Sequence, residues 1–246
     1  MSTLLIRLAA PLQSWGINSH FDTRSTERYP SKSGVLGLLA AACGIRRDGN
    51  LSGLCALRFG VRVDKEGTLL RDFHTAHIWR EGVKHPAGKD SYTTSRYYLA
   101  DAVFLAGVES GDEPFLRQLD NALRYPAFPL FLGRRACPPT LPLSLGIRDG
   151  VDLLDALRNE PWQAPDWYQK KAGSQKEVTR LRVITDALPN DRRGAVIRDV
   201  PESFSPYYRQ YGCRGAVDGY VPAMAETEHD PFLELEGGHV PEQTGT

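Results

Sequence analysis

Two histidines, His74 and His77, stand three positions apart beside Arg71 and Asp72, with Tyr92, Tyr97 and Tyr98 downstream. Histidine and tyrosine pass protons well when a 2′-hydroxyl attacks its phosphodiester, so the first chemistry they raise is metal-independent RNA cleavage. The segment has strand character, however, and side chains at i and i+3 of a strand point to opposite faces. That spacing favours packing or RNA contact over joint acid–base work, and His74, Arg96 and Tyr97 are taken as candidate RNA contacts. The helix opening at Pro30-Ser31-Lys32-Ser33-Gly34 offers unpaired amide donors, a positive dipole end and a lysine, a set suited to a phosphate. Its bland alternative is a capped helix with an exposed lysine. Gln13, Ser14 and Trp15 bring amide, hydroxyl and stacking groups together, as a pocket for a splayed RNA base would. A tryptophan folded onto the core is the competing reading. Arg46-Arg47 and Arg134-Arg135 are two basic pairs able to grip phosphates, or simply to be solvated.

Other chemistries find no support. There is no G-x-S-x-G, H-E-x-x-H, G-x-G-x-x-G or Walker A sequence. The four cysteines (Cys43, Cys55, Cys137, Cys213) are scattered without a C-x-x-C pair, and the two histidines have no third ligand nearby. No metal and no cofactor is therefore expected, and reduced thiols suit a cytoplasmic protein. The chain lacks an apolar run of the ~20 residues that a bilayer span needs. Arg7 interrupts the N-terminal apolar stretch, so neither membrane attachment nor a secretory signal is expected. Thirty basic residues balance thirty acidic ones, yet six acids (Glu226, Glu228, Asp230, Glu234, Glu236, Glu242) lie after residue 223, where there is no Lys or Arg. Residues 1–100 hold 14 basic against 8 acidic residues. A basic working surface with an acidic appendage follows.

Local periodicity and turn residues predict the surrounding secondary structure. Residues 3–10 form a buried strand ended by Pro11, and an irregular loop leads to a helix over 33–45 capped by Ser31 or Ser33 and stopped at Gly44. Residues 56–63 alternate apolar and basic, predicting a strand with one wet face, paired with 69–78 through a turn at Lys65-Glu66-Gly67. The polar stretch 79–94 reads as an extended loop or protruding hairpin, 95–106 as strand and 115–123 as a second amphipathic helix. A last strand is expected at 127–132 or later, then a short helix near 151–158 and a strand near 181–186. The class is α+β, a ferredoxin-like (RRM-type) βαββαβ domain with an insertion before its last strands. The expected division is 1–139 for that domain, with its insertion at about 79–94, then 140–222 for a smaller irregular region. An acidic tail over 223–246, too polar to build a core, follows.

Leu8-Ala-Ala-Pro-Leu-Gln-Ser-Trp-Gly16 followed by Tyr29-Pro-Ser-Lys-Ser-Gly-Val-Leu-Gly-Leu-Leu-Ala-Ala-Ala-Cys-Gly44 resembles the N-terminal signature of the CasD subunits of type I-E CRISPR Cascade. Arg71-Asp-Phe-His-Thr-Ala76, Tyr97-Tyr-Leu-Ala-Asp-Ala-Val-Phe104 and Pro129-Leu-Phe-Leu-Gly-Arg-Arg-Ala-Cys-Pro138 agree with it, and Ile197-Arg-Asp-Val-Pro201 is a weaker echo. The resemblance implies a RAMP-type fold with a protruding thumb. It also implies a non-catalytic role in antiviral defence, capping the surveillance complex by holding the 5′ handle of the CRISPR RNA. The partners it implies are that RNA, the backbone and large subunits, and target DNA indirectly through the thumb. A metal-independent endoribonuclease acting on repeat RNA is the alternative, and an adaptor without RNA contact is a third reading. The RNA-binding candidates are Gln13, Ser14, Trp15, Lys32, Ser33, Gly34, Arg46, Arg47, His74, Arg96, Tyr97, Arg134 and Arg135. On this reading Lys32→Glu or Trp15→Ala weakens assembly without unfolding the chain.

Overall fold

The computed structural model describes residues 1–17, 22–77, 91–173, 179–189, 191–205 and 207–224. Their order is β1 (Ser2–Ala9), β2 (Leu12–Gln13), β3 (Thr23–Arg24), α1 (Lys32–Ala42), α2 (Ser52–Cys55), β4 (Arg58–Lys65), β5 (Thr68–His77), β6 (Ser91–Ala100), β7 (Val103–Ser110) and α3 (Glu113–Arg124). The second half adds β8 (Ser144–Arg148), α4 (Leu153–Asn159), α5 (Asp166–Gly173), β9 (Arg180–Asp186), β10 (Ala195–Phe204) and β11 (Arg209–Pro222). The protein is thus mixed α+β and rich in sheet. Among the described residues no helix is long and apolar enough to cross a membrane.

Seven strands, in the order β10-β11-β9-β4-β7-β1-β8, make one antiparallel sheet. Strand alternation sends side chains to both faces, and here both are covered. Leu4, Ile6, Leu8, Phe59, Val61 and Phe104 meet Val35, Leu36 and Leu39 of α1 and Leu116 and Leu119 of α3 on one face. Leu5, Leu105, Leu181 and Val183 meet Leu153 and Leu157 of α4, with Trp162, on the other. α1 and α3 start where caps dictate: Ser31 Oγ accepts from the Gly34 amide at 3.2 Å, and Asp112 Oδ1 from that of Phe115 at 3.0 Å. Gly44, at φ 74°, ends α1 in the left-handed region that glycine tolerates.

A second sheet stands apart. β6 pairs with β5 from Thr68↔Ala100 to His77↔Ser91 and carries short bridges to β2 and β3. This corrects the pairing read from sequence, in which 69–78 folded back on 56–63. The turn at Glu66-Gly67 does reverse the chain, but Gly67 (φ 73°) lies so near Ala100 that a Cβ would come 2.6 Å from its carbonyl oxygen. That closeness hands the chain to β6 instead. The expected single strand over 95–106 is likewise two, β6 and β7, because Asp101 takes a left-handed φ of 55° and donates its amide to Pro11 O at 3.0 Å. Of the expected insertion at 79–94, residues 91–94 belong to β6, and 79–90 lie outside the described residues. Residues 127–132 are not strand; the role falls to β8.

β4 has no wet face. Arg62 is fully buried, its guanidinium paired fork-to-fork with Asp64 at 2.7 and 2.8 Å. Its remaining donors go to the carbonyls of Leu157, Glu160 and Pro161, so the arginine ties the end of α4 to the sheet. Burial pushes the Asp64 carboxyl above its usual range, while Arg62 and the Gln163 amide draw it back.

Candidate functional site: a groove along the first helix

The outer face of α1 is made small by its sequence. Ser33, Gly34, Gly37, Ala40 and Ala41 project little, and together they floor an open groove of about 480 Å³. One wall is the irregular segment 128–135, with Phe128, Phe131 and Arg135. The opposite wall is the end of β10 and the start of β11, with Phe204, Arg209 and Tyr211. Arg46 and Arg47, exposed just after the helix, close the far end, and Ser14 and Trp15 the near end. Arginines on the rim and aromatic rings in the walls form a pattern that holds single-stranded nucleic acid by charge and stacking.

Seven of the candidates meet here: Ser14, Trp15, Ser33, Gly34, Arg46, Arg47 and Arg135. Their roles differ from those read in the sequence. Trp15 is 1% exposed and packs on Gly34, where an added Cβ would come 2.8 Å from the indole ring. Its Nε1 donates to Gln13 Oε1 at 3.1 Å, and Gln13 Nε2 donates to the carbonyls of Leu8 and Ala102. Gln13 and the indole are therefore committed to the core. Gly34→Ala should overpack this contact at a cost of about 1–3 kcal/mol, against about 1 kcal/mol regained in helix propensity. A lower urea midpoint is expected; a higher one would show that the ring yields.

The exposed lysine and the vacant helix start are corrected outright. Lys32 is 5% exposed, and its Nζ donates to Asp186 Oδ2 and to Leu57 O, each at 2.8 Å. Its amide donates to Asp199 Oδ2 at 2.8 Å. Arg214 joins both carboxylates, with Nε 2.6 Å from Asp199 Oδ1 and Nη1 2.7 Å from Asp186 Oδ1. The chain's own carboxylate thus fills the place offered to a phosphate, and two cations balance two anions in a buried cluster.

Arg134 is turned inward as well: its guanidinium stacks 4.6 Å over the Tyr98 ring and donates to Arg24 O at 2.9 Å. His74, Arg96 and Tyr97 lie on the β5–β6 sheet, away from the groove lining. His74 is exposed and registers with Thr94, whereas Tyr97 registers with Arg71 three positions farther along. The side chain of His77 lies outside the described residues. Burial pushes the thiols of Cys43, Cys55 and Cys137 up, which makes them poor nucleophiles at neutral pH.

The reading from sequence missed Phe128, Phe131, Phe204, Arg209 and Tyr211. A signal was present: Tyr207-Tyr-Arg-Gln-Tyr211 interleaves aromatics with a base.

A mixed α+β chain with an arginine- and aromatic-lined groove has the form of a nucleic-acid-binding protein. Residues 3–216 match the family described as CRISPR-associated protein (Cas_Cas5), and the chain belongs to that family. It is similar to the CRISPR system Cascade subunit CasD of Escherichia coli (strain K12), 37% identical over 185 residues that cover 70% of this chain and 82% of that protein. A structure described as a crystal structure of Cas protein is 37% identical, with TM-score 0.66 and coverage of 89% of this chain and 95% of that one. A chain of a CRISPR RNA-guided surveillance complex is 33% identical, with TM-score 0.73, covering 95% of this chain and 98% of its own.

Proposed function

We propose that this protein is a non-catalytic CRISPR RNA-binding subunit of a Cascade surveillance complex, and that the α1 groove holds the 5′ handle of the guide. The observation that carries the reading is the groove itself: four exposed arginines (Arg46, Arg47, Arg135, Arg209) around rings set over a floor too small to obstruct a base. The kinship to CasD and to a surveillance-complex chain supports it. Holding one fixed RNA end needs a local phosphate grip and a few base pockets, not high net charge.

The fold reading is ferredoxin-like. It is supported by β1 and β4 flanking β7, β7 and β8 flanking β1, and helices α1 and α3 in the two crossovers. The β5–β6 sheet is the base of a thumb that meets the backbone and large subunits, and target DNA indirectly. His74, Arg96 and Tyr97 are RNA contacts from that arm. Three positions of register between His74 and Tyr97 argue against their sharing a cleavage reaction.

The test is ultraviolet crosslinking of guide RNA in the assembled complex. Handle nucleotides should attach to peptides carrying Phe128, Phe131 or Tyr211, and a scrambled handle should lower assembly yield. Crosslinks confined to other faces, or equal yield with the scrambled handle, would overturn the groove assignment. Cleavage of repeat RNA by the protein in EDTA, lost on His74→Ala, would overturn the non-catalytic reading.

A further inference from the structure

Far from the groove, a second cavity of about 180 Å³ opens where β4, β9 and the end of β11 meet α5. Its walls include Trp162, Tyr168 and Tyr220, and its rim Lys65, Arg180 and Glu66. The surroundings are strongly aromatic: Lys65 Nζ lies 4.7 Å over the Trp167 ring, and Tyr168 packs edge-on against both Trp162 and Trp167. Tyr220 in its wall and Trp167 beside it remain 67% and 59% exposed, so both rings are open to an occupant of the cavity. Trp, Tyr and Arg around a small pocket are the composition of a docking hot spot.

The chain itself indicates the occupant. The last described residue, Met224, accepts the Trp162 amide at 2.8 Å, and the neighbouring Ala223 amide donates to Thr179 O at 2.8 Å. Trp162 and Thr179 both line the cavity, so the described chain ends at its wall. The segment that follows, 225–246, carries six acids and no Lys or Arg, and its acids flank Phe232-Leu233. Phe232 lies eight positions past Met224, a reach of up to about 26 Å, ample for a return to the same wall. We propose that residues 225–246 dock on this cavity, Phe232 or Leu233 filling it while the flanking acids meet Arg180 and Lys65. Glu66 on the rim opposes those acids, so the apolar anchor supplies most of the affinity. Tethering supplies the rest, since a short linker holds its segment at an effective concentration on the order of millimolar.

The proposal is tested in the full chain with the photoreactive benzoylphenylalanine substituted for Phe232. Irradiation should join it to peptides containing Trp167, Tyr168 or Tyr220, with a yield unchanged by tenfold dilution. Arg180→Glu should lower that yield about threefold, the scale of one or two rim ion pairs. Joining to α1-groove peptides, joining that falls away on dilution as contact with a second copy would, or no joining at all would overturn it. Because the substitutions lie in the tail and on an exposed rim residue, failure here leaves the groove assignment standing, and the reverse holds equally.

Discussion

Replacing Lys32 by glutamate is expected to leave no folded protein, not a folded protein with weaker RNA binding. The new carboxylate would enter a site where Asp186 and Asp199 already sit against α1, with Arg214 the one cation left to the cluster just described. Breaking a buried ion pair by removing one partner costs about 3–5 kcal/mol, and adding a like charge costs more. Whole domains are stable by only about 5–15 kcal/mol. Lys32→Met separates the two effects: it removes the ammonium and adds no charge, and Asp186 keeps Arg214 and the Phe59 amide at 2.7 and 2.9 Å. Its loss should fall near 3 kcal/mol, the lower end of that range. Trp15→Ala should also act through stability, at about 3–5 kcal/mol for a fully buried ring. Urea titration followed by circular dichroism measures all three. A soluble Lys32→Glu variant with a wild-type midpoint would mean that the lysine faces water, and the vacant helix start read from the sequence would return.

What the sequence disclosed and what it concealed divide along contact range. β1, α1 and α3 were legible because a strand's alternation and a helix's 3.6-residue period are written locally. Ser31 as cap and Gly44 as stop came from the same local chemistry. The α1 start was read as a place for a phosphate, but the anion it holds is Asp199, 167 positions away. Nothing local marks an aspartate as destined for a helix end across the sheet. Arg62 misled in the same way: Val-Arg-Val-Asp alternates like a half-wet strand, yet Asp64 two positions on, the end of α4 and the 160–161 carbonyls together supply every partner the guanidinium needs. The pairing of β5 with β6 turned on Gly67 and Asp101, two residues whose left-handed backbone redirects the chain between sheets. As for the groove, Ser33 and Gly34 of its floor and the Arg46-Arg47 pair were among the candidates, whereas Gly37, Ala40 and Ala41 read only as helix. Its second wall was not found, because Phe204, Arg209 and Tyr211 reach α1 only after β10 and β11 join the sheet beside β9.

Arg135→Glu combined with Arg209→Glu is expected to lower the affinity of the assembled complex for handle-containing RNA about a hundredfold. That estimate takes two lost charge-assisted contacts at about 1.5 kcal/mol each. Both residues are exposed and stand on opposite walls of the groove, so the fold should tolerate the change and the urea midpoint should stay put. Two lost phosphate contacts should also flatten the dependence of log affinity on log salt by about 1.4, since each contributes about 0.7 on a single strand. Gly37→Leu makes the complementary test. A Cβ there already meets the Phe204 ring at 3.4 Å, so the longer side chain must occupy the groove. It should weaken binding by filling space while leaving the salt slope unaltered. Charge reversal that spares RNA affinity, with Gly37→Leu equally silent, would place the guide elsewhere on the protein. Loss of binding by volume and by charge, each with its own salt signature, is what a groove that stacks bases and grips phosphates requires.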